Sequence, residues 1–180
     1  MKTSKAYHLC LGEVFKKKLK GSLCVFHIGD RVVYPMHGAG IIVDIEEKKI
    51  LGEEHQYYIV QISISDMKVM LPVNNTETIG VRKIVSADAA DDAINHFHSC
   101  NEDCNDNWNQ RYRENIEKLK SGDLMDVATV AKTLLLRDRK KSLSNAERKM
   151  LSNAKNILIS ELILAKGKTY NEIEELLMNE

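Results

Sequence analysis

The chain has 180 residues, 26 lysines and arginines against 26 aspartates and glutamates, and 43% hydrophobic residues. That length fits one large domain or two small ones, and the composition is that of a globular protein, not a disordered or collagen-like one. Zero formal net charge excludes a uniformly basic nucleic-acid binder, and no apolar run approaches the roughly 18–20 residues of a membrane span.

The neutrality is an average over unlike segments. Residues 1–24 carry six lysines and one acid, Glu13. They read as a basic arm that touches nucleic acid or, more simply, as sequence upstream of the true start. Lys20-Gly21-Ser22 can be encoded by a purine-rich stretch like a ribosome-binding site, and Val25 by a GTG start codon. No apolar stretch with a small-residue cleavage site follows, so this is not a secretory signal. Cys10, Cys24, Cys100 and Cys104 are too few and too unevenly placed for a disulfide framework. The cytoplasm is the expected compartment.

From residue 25 to 85 the pattern is strand-like. Val32, Val33 and Tyr34 lead into Pro35, Gly38 and Gly40, and Ile41, Val43 and Ile45 alternate with a period of two. The polar run from Glu47 to Glu54, with Gly52 inside it, reads as a hairpin connection. Tyr57 to Ile64 is aromatic and β-branched, as strands prefer, and Lys68 to Val73 makes another short strand. Four to five short strands predict a small, strongly bent antiparallel sheet or barrel.

Residues 86–180 are helical in pattern. Ser86 caps a helix through Phe97, and the polar residues 99–107 interrupt. Trp108, Tyr112, Ile116 and Leu119 then recur on one helix face. Ser121-Gly122-Asp123 ends that helix and caps the next, whose stripe runs from Leu124 to Leu135. Ser144 with Glu147, and Thr169 with Glu172, are capping-box pairs that start two more helices. Short connections imply antiparallel neighbours in a compact bundle. The expected class is therefore α+β, with a bent sheet at 25–85 and an all-helical domain at 86–180.

No P-loop, G-x-S-x-G or G-x-G-x-x-G occurs, and carboxylate pairs such as Glu53-Glu54 and Asp91-Asp92 fall in solvated stretches. Neither catalysis nor a cofactor is expected. His96, His98, Cys100 and Cys104 form a weak zinc or redox candidate, because the residue types suit zinc but the spacing matches no standard site. The basic stretch says more. Residues 108–155 hold twelve basic and six acidic residues, and lysines and arginines bind phosphates by releasing counterions. Trp108, the one tryptophan, either continues its helix stripe into the core or stacks on DNA.

Three stretches stand out: Gly29-Asp30-Arg31-Val32-Val33-Tyr34-Pro35-Met36-His37-Gly38-Ala39-Gly40, Asn107-Trp108-Asn109-Gln110-Arg111-Tyr112 with Lys118 to Asp123, and Arg137-Asp138 through Glu147-Arg148-Lys149-Met150-Leu151 to Glu161-Leu162. Together they resemble the CarD/CdnL family of bacterial RNA-polymerase-binding transcription regulators. The first occurs in part in the polymerase-binding module of the transcription-repair coupling factor, but no helicase motif is present here. The resemblance implies a Tudor-like β-domain that docks on the polymerase β subunit through a sheet edge. It also implies a helical domain that contacts promoter DNA at the upstream edge of the melted bubble, stabilising the open complex, often at ribosomal RNA promoters. Trp108 aligns with the family's minor-groove wedge, with Arg111, Tyr112, Arg113, Lys118, Arg148, Lys149 and Lys155 as its expected DNA-contacting neighbours. Lys48 and Met70 stand where family members can carry arginine. With Ile45 and Tyr58 they are the expected polymerase-contact residues. Lys48 keeps the charge but not arginine's planar fork, and Met70 loses the charge. Nothing demands more than a monomer. The alternatives are a polymerase-bound adaptor that recruits another protein without touching DNA, and a metal- or redox-responsive regulator.

Overall fold

A computed structural model describes residues 26–50, 52–65, 67–101 and 106–179. The N-terminal extension and Cys104 lie outside the described residues. Five strands form one antiparallel sheet: β1 (Arg31–Tyr34), β2 (Gly38–Ile50), β3 (Glu53–Ile62), β4 (Lys68–Pro72) and β5 (Arg82–Lys83), in spatial order β4-β3-β2-β1-β5. The two outer strands, β4 and β5, do not pair with each other, so the sheet is open, not a closed barrel. The polar run at 47–54 is strand rather than loop. Its residues pair across β2 and β3 from Glu47↔Gln56 to Ile50↔Glu53, leaving only residues 51 and 52 between the strands. Cross-strand pairing has overridden the polarity of the side chains, which alternate toward solvent. A bulge at Val43 shifts the register between Ile42 and Asp44 and adds twist.

One face of the sheet encloses a small core of Phe26, Val32, Ile42, Tyr58, Val60 and Leu71. A short 3-10 turn (Val73–Asn75) and helix α1 (Thr76–Ile79), both missed in the sequence, return the chain from β4 to β5. The helical half follows: α2 (Ala87–Ser99), α3 (Trp108–Ser121), α4 (Leu124–Lys140), α5 (Asn145–Lys166) and α6 (Tyr170–Met178). Ser86 caps α2, Asp123 caps α4, and both capping boxes form. Phe97, Leu119, Val127, Leu134, Leu158 and Leu162 centre the bundle core. Among the described residues, no helix is long and apolar enough to cross a membrane.

The Tyr34-to-Gly40 motif joins the two halves. Tyr34 to His37 is a β-turn, closed by the His37 N–H donating to the Tyr34 carbonyl at 3.0 Å. Pro35 presets its first corner, and Met36 takes the second at φ +69°, a position that usually selects glycine. Met36 accepts that strain and packs its side chain against the helical core. Gly38 has φ +101°, and a Cβ there would lie 2.7 Å from Ser160 Oγ. That close approach lets the Ala39 N–H donate to Ser160 Oγ at 2.8 Å. Arg82 completes the junction with a two-pronged pair to Glu161 on α5, at 2.6 and 2.9 Å, and a bond to the Gly122 carbonyl at 2.8 Å. The Val85 N–H also donates to Glu161, at 3.1 Å.

Candidate nucleic-acid interface

The N-termini of α3 and α5 meet at one end of the bundle. Asn107 caps α3 by accepting from the Asn109 and Gln110 N–H groups, and Trp108 is the first helical residue. Four residues span the α4–α5 turn, and Ser144 caps α5. The Trp108 indole N–H donates to Ser144 Oγ at 3.3 Å. The Ser144 hydroxyl in turn donates to Glu147 Oε2 at 2.8 Å and accepts from the Glu147 N–H. One donor and two acceptor positions of that hydroxyl are therefore all used.

Trp108 is 43% exposed. Its helix stripe runs outward rather than inward: Leu119 is buried, Ile116 and Tyr112 are half-buried, and Trp108 stands clear. The stripe's first member thus lies beyond the end of the bundle instead of in its core. The indole stacks on Tyr112, with ring centroids 5.4 Å apart and 23° between planes. A large apolar ring is thereby held in one pose in solvent, the preorganisation that a docking side chain needs.

Arg111 was expected among the DNA contacts, and here the structure corrects the sequence reading. It is 4% exposed. Its Nε and Nη2 donate to Glu147 Oε1 at 2.9 and 2.6 Å, and Nη1 donates to the Asp106 carbonyl at 3.3 Å. Arg111 is thus a support beneath Trp108, not a phosphate contact. Burial alone pushes the Glu147 carboxyl up, but bonds from the Ser144 N–H, the Arg111 guanidinium and the Ser144 hydroxyl outweigh it. The net effect holds the carboxyl below its ordinary value of 4.5.

The other expected contacts divide. Arg113, Arg148 and Lys149 are exposed and have no partner among the described residues, and Lys155 is half-buried. Lys118 is half-buried and engaged within the protein. The last turn of α4 carries Arg137, Arg139 and Lys140, and Lys141 follows as its C-cap, which places all four near the α5 cap and the Trp108 end. Three of these cations also complement the C-terminal dipole of α4. Two helix N-termini and this basic turn give the Trp108 end a field that favours anions. Ser144, Glu147 and Asn107 were missed as site residues. Their signal was the capping chemistry itself, read for helix starts alone.

On the sheet, Lys48 and Met70 come together on the outer face. Lys48 Nζ lies 3.3 Å from Met70 Sδ and 3.3 Å from Glu46 Oε2, and Met70 is 41% exposed. Tyr58 cannot join them. It is fully buried on the opposite face, where its hydroxyl accepts the Phe26 N–H at 3.2 Å. Ile45 packs against that same inner core. Strand register puts Tyr57 (opposite Glu46) on the outer face instead, and Ile59 (opposite Met70) shares that face but is buried. β4, which carries Met70, is a sheet edge.

The three described members of the zinc candidate turn to different partners. His96 Nε2 bonds Thr129 Oγ1 at 2.8 Å, His98 Nε2 bonds the Leu176 carbonyl at 2.8 Å, and Cys100 is buried. Among the described residues no group of three histidine, cysteine, aspartate or glutamate side chains is placed to hold a metal.

The described residues thus form an edge-open sheet joined to a helical bundle that displays the exposed Trp108 at one end. Comparison with known proteins gives the family. Residues 26–85 match the model of the CarD-like/TRCF RID domain, and residues 92–178 match that of the CarD C-terminal domain. The chain is 41% identical over 150 residues to a Bacillus subtilis (strain 168) protein named "Putative transcription factor YdeB", covering 83% of this chain and 98% of that protein. The chain belongs to the CarD/CdnL family. These similarities mark a transcription regulator, and the RID match implies an interaction with RNA polymerase in general terms.

Proposed function

We propose that the protein docks on the β subunit of RNA polymerase through the module at 25–85 and stabilises the promoter open complex through the module at 86–180. It acts as a monomer, on ribosomal RNA promoters among others, and reaches the nucleoid through the polymerase. The observation that carries this reading is the exposed Trp108, held in one pose by Tyr112 and Ser144 over a buried Arg111–Glu147 pair. A rigid aromatic at a helix end can enter a minor groove and wedge a base step, while neighbouring cations hold phosphates. Arg113, Arg148, Lys149 and Lys155 supply that charge, and Tyr112 backs the wedge.

The polymerase half of the reading rests on β4. Its outer edge leaves backbone groups free to accept an added strand, and Met70, Lys48 and Tyr57 beside it give side-chain contacts. No reaction is catalysed. Melting is an equilibrium, and a protein that touches only the open form shifts it by its differential affinity. Docking raises the local concentration of the helical module, so weak DNA contacts suffice.

The test separates the two contacts. Met70→Glu is expected to abolish capture of the β subunit while leaving salt-sensitive binding to forked promoter DNA intact. Trp108→Ala is expected to keep capture of the β subunit and to weaken binding to forked DNA, leaving the salt dependence set by the cations. A wild-type protein that captures the β subunit but shows no salt-sensitive affinity for forked DNA would point to the adaptor instead.

A further inference from the structure

Beside the Trp108–Tyr112 stack a groove of about 430 Å³ opens between α3 and the first half of α5. That volume lies in the ~300–1,000 Å³ range of small-ligand sites. Tyr112 on α3, Met150 on α5 and Met36 on its strained turn all line it. The polar lining is Asn145, Lys149 and Asn153, spaced along one face of α5. None of these three side chains has a hydrogen-bond or ion-pair partner among the described residues. No carboxylate lines the groove.

We infer that this groove takes a single unstacked nucleobase from the strand released beside Trp108. This deepens the proposed function and rests on its DNA half. The chemistry of the lining matches that occupant part by part. The Tyr112 ring and the thioethers of Met36 and Met150 offer a flat, polarisable apolar slot for a base. The Asn145 and Asn153 amides offer donors and acceptors to a base edge exposed by unpairing. Lys149 at the lining, with Arg148 next to it, meets the flanking phosphates. The one charged residue of the lining, Lys149, is cationic and has no carboxylate beside it in the groove, which favours a polyanion over an apolar peptide. Trp108 wedges the fork and the groove holds what the wedge displaces.

The test uses the full chain and two short forked duplexes at low salt, identical except that the first unpaired nucleotide carries either thymine or no base. Fluorescence anisotropy reads both affinities, so phosphate contacts cancel. Wild type is expected to prefer the base-bearing fork by about fivefold or more, the lower end of what one base–aromatic stack is worth. Ala146→Trp, which fills the groove from the exposed side of α5, is expected to erase that preference while keeping the abasic affinity, which shows that the variant is folded. Equal wild-type binding to both forks would overturn the inference. So would a preference that survives Ala146→Trp and disappears only in Trp108→Ala, since the base would then sit on the tryptophan. A base preference without any effect on open-complex lifetime would leave the groove standing and remove the proposed function.

Discussion

Among the described residues two arginine–glutamate pairs reach the interior, and they do different work. Arg82–Glu161 ties the sheet to α5, whereas Arg111–Glu147 ties α3 to α5 within the helical half. In the first pair the glutamate is buried but the Arg82 side chain is 30% exposed. In the second both side chains are at most 5% exposed. The first sets how two modules sit against each other. The second sets the pose of one exposed ring, through Ser144. The same ionic chemistry serves as a joint in one place and as a mount in the other, and solvent access decides how costly each is to break.

That contrast gives an order of effects. Glu147→Ala strands a buried guanidinium and is expected to cost about 3–5 kcal/mol, read by urea unfolding. Glu161→Ala removes charged hydrogen bonds but leaves Arg82 able to hydrate, so about 2–3 kcal/mol is expected. A larger loss at Glu161 than at Glu147 would reverse the comparison. Ser144→Ala removes a helix cap worth about 1 kcal/mol and also frees the indole, so Trp108 fluorescence anisotropy should fall along with stability. Trp108→Ala should stay within about 0.5 kcal/mol of wild type, because an exposed ring contributes little to folding.

Acidity sharpens the same point. The Glu147 carboxyl titrates below 4.5 in the folded state, so the folded protein binds fewer protons there than the unfolded chain. Its contribution is complete above that value and is lost as pH falls through the folded one. The stability gap between wild type and Glu147→Gln should therefore be constant near neutrality and shrink below about pH 4.5. A gap that grows on acidification would contradict the sign.

Much of the helical half was legible because its signals are local. Ser144 with Glu147, and Thr169 with Glu172, lie three residues apart and cap where they stand. What was hidden depends on distance or on register. Arg111 and Glu147 are 36 residues apart, so nothing near Arg111 shows that it turns inward. Tyr57, Tyr58, Ile59 and Val60 are all good strand formers, and which of them face out is set by pairing with β2 across the Val43 bulge. The 47–54 run looked like a loop because its side chains are polar, while its backbone had a partner strand. The Trp108 stripe had the right period but could not show that the bundle ends before its first member.

The central claim is that Trp108 contributes to open-complex stability and not to folding or polymerase docking. The direct measurement is the half-life of open complexes formed by the cognate RNA polymerase on a ribosomal RNA promoter, with wild-type protein, with Trp108→Ala and with none, at saturating polymerase occupancy. Wild type should lengthen the half-life, and Trp108→Ala should return it to the value without protein. A mutant that lengthens it as fully as wild type would contradict the claim.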